Sequence, residues 1–340
     1  MTMLWPNQGA AANRRPAGQL DGSDNLAAIV AADRAFPAAV AELGRYTKLE
    51  LVLPVGLLLL WLGFDGTALG QQTAKEYLES GLAKQGQGQN DAAIADYDRA
   101  HELDPKLFDA CRHGGELKRS KGDLDGAIAD FTKGIAACQE AKSIHTAFFY
   151  GLRSSARHSK GDVDGALADM SEGLKLYPEN HSFFHARGIL FYLKRDWKSA
   201  LADFRSAIQH AAKWGADEEV CHLYVWIMRK RLGESESANE ELALYLESPP
   251  KSDPRRVAAT AGYMLDRVPE KSLFPRGSNA MSHWWDDVMR CNAWYVVGMK
   301  HLLSGDEARA MECFKESMKP SDNMAEGQML AKAELKALAK

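Results

Sequence analysis

Long apolar runs are scarce in this 340-residue chain. The only continuous one, Leu51 to Phe64, has about 14 residues, short of the roughly 20 that a helix needs to cross a bilayer. Cysteine is scarce as well: five residues, an odd number, with no CxxC pair among them. That excludes the usual zinc and dithiol redox motifs, and no thiol stands beside the apolar run to take a lipid. Dense Lys/Arg blocks, zinc-finger spacing and RNP-like motifs are missing, and the net charge is only -4. Nucleic acid is therefore not expected as a partner. No G-x-S-x-G elbow, Cys/His signature or phosphate-binding Gly loop occurs, so neither an enzyme nor a cofactor site is expected.

What the chain does have is a pattern that returns about every 34 residues, the period of a helix-hairpin solenoid. A small residue is followed twelve positions later by Ala, then by a large apolar residue, then by another small one. The copies read Gly81, Ala93, Tyr97, Ala100; Gly115, Ala127, Phe131, Gly134; Ser154, Ala166, Met170, Gly173; Gly188, Ala200, Phe204, Ala207; and Gly298, Ala310, Phe314, Ser317. Two antiparallel helices approach closely only where both present small side chains, so Gly81 facing Ala93 and Gly188 facing Ala200 mark expected crossings. An apolar residue stands four before each small one (Tyr77, Cys111, Tyr150, Phe184, Trp294), on the same helical face. These are expected to fill the core between hairpins.

Turn chemistry agrees. Lys121-Gly122-Asp123, Lys160-Gly161-Asp162 and Ser304-Gly305-Asp306 each place Gly just past one helix and Asp at the cap of the next. Asp104-Pro105, Tyr177-Pro178 and Pro249-Pro250 are positioned to stop second helices.

On Gly81, Ala93, Tyr97, Ala100 and Pro105, and on their recurrence, the chain resembles the tetratricopeptide repeat family. The resemblance implies an all-α superhelical solenoid of antiparallel helix hairpins with a C-terminal capping helix, and a scaffold that binds a protein or peptide partner in its concave groove. A looser copy holds Ala238, Leu242, Tyr245 and Pro250, but Trp226 takes the place of a small residue, so a wider packing angle is expected there. The family's first helices line the concave side. Their exposed face is expected to carry Arg112, Glu116, Arg119, Phe148, His158, His185, Ile189, Tyr192, Lys230 and Arg231. Cation, imidazole and aromatic groups in that alternation suit a peptide or helix with acidic and apolar groups. The carboxylate clamp that some members use for chaperone tails is not expected, because Glu116, Gly151 and Ser155 replace its amide and charged groups.

Residues 1–48, rich in Ala, Gly and Pro, read as a disordered low-complexity segment. Residues 49–70 read as a signal peptide or membrane anchor. Arg45 and Lys48 precede the apolar run and Asp65 follows it, which favours a cytoplasmic N-terminus. Ala68-Leu69-Gly70 offers a cleavage site with Gln71 as mature start. The expected location is periplasmic, or anchored to the inner membrane through 49–64 and facing the periplasm.

Repeats are then expected over 74–250, a divergent helical linker over 251–290, and a last repeat with its capping helix over 291–340. The capping helix is placed at Met324 to Leu338. This C-terminal layout resembles bacterial cell-envelope repeat lipoproteins, although the lipid-attachment Cys is missing. A homodimer is compatible with such a solenoid.

The Asp-x-Asp-Gly segments at Asp123 and Asp162 lack the Gly and Glu registers of a calcium loop, so they read as helix caps. His283 and Asp287 are four apart on one expected helix, but two side chains do not make a metal site. No metal is expected. A metal-dependent catalyst or enzyme accessory built on the His283 region is the alternative reading, and a cytoplasmic regulatory repeat protein is another.

Overall fold

The local rules written into the turns decide where each helix begins and ends. In the computed structural model, which describes residues 72–214, 219–247, 254–274, 283–319 and 326–339, Asp123, Asp162 and Asp306 each accept a hydrogen bond from the backbone N–H three residues on. Gly122, Gly161 and Gly305 adopt φ of 85°, 92° and 90°, the left-handed region where a Cβ would be strained.

Among the described residues there are fourteen α-helices and no strand: α1 (Ala74–Gly86), α2 (Asn90–Leu103), α3 (Phe108–Ser120), α4 (Leu124–Glu140), α5 (Thr146–Lys160), α6 (Val163–Leu176), α7 (His181–Leu193), α8 (Trp197–Trp214), α9 (Glu219–Arg231), α10 (Ser235–Glu247), α11 (Pro254–Met264), α12 (His283–Leu303), α13 (Glu307–Ser317) and α14 (Glu326–Leu338). A short 3-10 turn spans Glu270–Leu273. Successive helices pair as hairpins, α1/α2 through α9/α10 and then α12/α13, and each second helix packs on the first helix of the next hairpin through α9. This alternation breaks at α11 and the 3-10 turn. The first helix of the last hairpin, α12, starts at His283.

Within the hairpins the repeated small residue serves a ring. A Cβ built on Gly81 would lie 2.5 Å from Tyr97, and one on Gly115 would lie 2.5 Å from Phe131. Gly188 with Phe204 and Gly298 with Phe314 repeat the arrangement. Between hairpins a second set does the same: Phe149 presses on Gly134 and Phe183 on Gly173. At the equivalent junctions small residues stand on both helices instead, Ala100 with Ala110 and Ala207 with Cys221, all buried. Trp226 is itself buried, with its indole N–H donating to Asn239 Oδ1 at 2.9 Å.

The first four hairpins are also tied by a buried acid. Asp96, Asp130, Asp169 and Asp203, all under 10% exposed, are bonded by Lys84, Lys118, Arg153 and Arg187 of the preceding first helix, at 2.6 to 2.7 Å. Glu241 takes the same place in the fifth hairpin, paired with Arg229 at 2.6 Å. Outside, exposed pairs such as Lys160 with Asp125 at 2.5 Å and Lys213 with Glu179 at 2.7 Å link one hairpin to its neighbour. Exposed pairs of this kind add little stability each but favour one register.

All five cysteines are buried and no disulfide links them. The apolar run at 51–64 lies outside the described residues, as does the whole of 1–71. Among the described helices none is long and apolar enough to cross a membrane.

Candidate partner-binding groove

The first helices α3, α5, α7, α9 and α12 supply the candidate lining, and the structure divides it into two parts. On α3 and α5 the side chains remain partly exposed. Arg112 pairs with Asp109 at 3.1 Å and lies 3.8 Å from Glu116. Burial pushes the Glu116 carboxyl up from its ordinary range, against the pull of Arg112 and Arg119. Arg119 reaches across to α5, where its Nη1 donates to Ser155 Oγ at 3.4 Å, while its buried Nε has no acceptor. Phe148 packs edge-on against Phe149, and burial holds the His158 imidazole below its usual range.

On α7, α9 and α12 the lining is covered. Ile189 and Tyr192, expected on an exposed face, are 4% and 1% exposed. The physical reason is α14, whose side chains reach onto these helices. The Tyr295 hydroxyl donates to Tyr192 Oη at 2.8 Å, and the Tyr192 hydroxyl donates to Glu334. Arg231 Nη2 donates to Glu334 at 2.8 Å, and His185 Nε2 lies 3.2 Å from Glu326. Lys230 stands apart, with its ammonium 5.0 Å from the Trp226 ring centre. Three of the ten candidate side chains (His185, Tyr192 and Arg231) thus bond to the chain's own C-terminal part, Ile189 is buried in the same apolar cluster, and five (Arg112, Glu116, Arg119, Phe148 and His158) lie on α3 and α5.

The capping helix was legible as a helix, but its place across the inner side was not. A signal for it exists in the sequence: the register positions on α7, α9 and α12 include Ile189, Tyr192, Leu223, Ile227, Tyr295 and Met299, too apolar a strip to face water.

The chemistry of reactive groups is quiet. Cys111 Sγ lies 3.2 Å from His101 Nδ1, a pairing that residue spacing did not suggest. Burial pushes that thiol up to about 12 and holds the imidazole low, so the pair stays neutral rather than forming a thiolate. Among the described residues no cluster of three His, Cys, Asp or Glu is arranged to hold a metal. The side chains of His283 and Asp287 lie outside those described.

Hairpins stacked in this way, with ring-on-glycine junctions and a lining drawn from first helices, define a helical repeat solenoid. The segment 74–107 matches the family model described as a tetratricopeptide repeat. The chain thus carries a tetratricopeptide repeat at 74–107, and its described helices have the all-α hairpin fold of such repeats. A tetratricopeptide repeat protein from Parabacteroides merdae ATCC 43184 aligns over 77% of this chain and 99% of its own, with a TM-score of 0.50 and 18% identity. MamA aligns over 52% of this chain and 92% of its own at 17% identity and a TM-score of 0.45. YrrB, described as having an unusual peptide-binding site, aligns over 56% and 93% at 16% identity and a TM-score of 0.43. No curated protein sequence matches the chain.

Proposed function

We propose that this chain is a non-catalytic scaffold that holds a protein or peptide partner on the inner face of α3 and α5. The observation that carries the reading is Arg119, a cation on that face whose Nε is buried without an acceptor and whose Nη1 makes a long hydrogen bond to a neutral hydroxyl. A carboxylate placed there would gain a charge-assisted hydrogen bond. Phe148 and His158 offer flat surface beside it for an apolar neighbour. The apolar run at 51–64 supports a place at the cell envelope, exported or anchored, where the partner would be found.

The test uses a photocrosslinking residue at position 158 in the full chain, expressed in its own cells, with position 128 on a second helix as control. One dominant adduct at 158, absent at 128 and reduced roughly tenfold or more when Arg119 and Arg112 are both changed to Ser, is the expected result. Equal adducts at both positions would move the binding face elsewhere. The intact mass of the native protein from separated cytoplasmic, membrane and periplasmic fractions tests the location; full-length soluble protein in the cytoplasm would refute export.

A further inference from the structure

The helix α14, seated on α12 and α13, sends a row of side chains onto the face of α7 and α9, and those contacts describe a binding site. Glu326, Leu330 and Glu334 of α14 lie at i, i+4 and i+8, on one helical face. Glu326 accepts from the Tyr224 hydroxyl and lies 3.2 Å from His185 Nε2. Glu334, 1% exposed, accepts from the Tyr192 hydroxyl, from Arg231 Nη2 at 2.8 Å and from Arg195 Nη2 at 3.2 Å. Between the two acids Leu330 and Ala331 are fully buried in the apolar cluster. An amphipathic helix pressed on a groove by spaced anchors is a general mode of peptide recognition.

Two features separate this contact from ordinary core packing. Its Glu334 anchor is a buried acid, whose desolvation offsets much of its attraction to the arginines, so it selects a register more than it adds stability. The groove also has a surplus of donors. Two guanidiniums converge on the single oxygen Oε2 of Glu334, and the buried Nε of Arg231 has no acceptor. A helix bringing a further acceptor to Arg231 would satisfy the site better than α14 does.

We propose that the α7–α9 face is a receptor for an acidic amphipathic helix of a partner protein, and that α14 is a tethered occupant which that helix displaces. The incoming helix is defined by what α14 presents: carboxylates eight residues apart with small or branched apolar residues between them. This inference stands apart from the α3–α5 reading, since changes at Arg112 and Arg119 do not touch the α14 contact.

Native-state hydrogen exchange on the unmodified full chain tests displacement directly. Amides of 326–338 are expected to exchange through an opening at least about tenfold more populated than the one that exposes α7 and α9. Exchange of α14 only together with α7 and α9 would overturn the proposal. A second measurement uses a labelled synthetic peptide of residues 326–339 with blocked ends. Glu334→Gln in the full chain weakens the tethered helix, and the native-sequence peptide should then bind at least about tenfold more tightly than to the unaltered chain, a change of the size expected for one charge-assisted contact. Equal affinity for the two chains would refute the proposal.

Discussion

Asp169 offers the sharpest test of how the hairpins are held. Its carboxylate is 2% exposed and takes Arg153 through two nitrogens, with Nη2 at 2.7 Å, and Arg157 Nη1 at 2.9 Å. Changing Asp169 to Ala leaves two guanidiniums facing a small apolar gap. Removing one partner of a buried pair costs about 3–5 kcal/mol. The Arg153 and Arg157 side chains retain 13% and 25% exposure, so water reaches them and the lower end, about 3 kcal/mol, is the expected loss. Urea unfolding followed by far-UV circular dichroism should show the midpoint falling by roughly 1 M with a slope near 3 kcal/mol/M. The exposed pair Lys160 with Asp125 supplies the control: Asp125→Ala should cost under about 1 kcal/mol. Replacing Arg153, Arg157 and Asp169 together by Leu should recover much of the loss, because no stranded charge remains. A loss below about 1 kcal/mol for Asp169→Ala alone would refute the view that these acids organise the hairpins.

Two further outcomes follow from titration. Burial is the first cause holding His101, His113 and His158 below the usual imidazole range. The unfolded chain therefore binds more protons than the folded one below about pH 6.5, and stability falls as pH drops through that value toward the lowered folded values. The urea midpoint should be lower at about pH 5.5 than at about pH 7.5, and His158→Gln should shrink the difference; an unchanged midpoint would contradict the assignment. Glu116 and Asp203, pushed up by burial, act in the opposite sense but at lower pH. The thiols give the second outcome. With Cys111 raised to about 12 and Cys313 to about 11, and all five cysteines buried, an aromatic disulfide reagent should react only as the protein unfolds. A thiol that reacts within seconds in the native state would disprove it.

Local information carried the hairpins. Gly and Asp at the turns act through their own backbone geometry, and the small-to-large spacing from Gly115 to Phe131 is a property of two adjacent helices. Both are written in nearby residues. The buried acids were equally written, since Asp96, Asp130, Asp169 and Asp203 each directly precede the repeated Tyr, Phe or Met. Spacing alone does not single them out, because a charged residue on a helix usually faces water. The covering of Ile189 and Tyr192 was harder to read. It depends on Glu334, 142 residues from Tyr192, and no rule of local spacing joins positions that far apart. The apolar strip on α7, α9 and α12 shows that something covers that face; only the structure shows what.

The reach of α14 back to α7 also bears on how the chain gains its structure. In a linear stack each hairpin meets only its neighbours, and folding spreads along the array from any starting point. Hairpins α1/α2 to α5/α6 follow that plan, with small separate apolar clusters. From α7 onward one continuous cluster runs from Ile189 to Ala331, closed by contacts between residues 139 to 142 apart in Arg195, Tyr192 and Glu334. Closing so long a loop is slow, and its reward arrives only when the last helix is in place. The N-terminal hairpins are thus built to open one at a time, whereas the C-terminal half completes its packing only when α14, the last piece to arrive and the first able to leave, is in place.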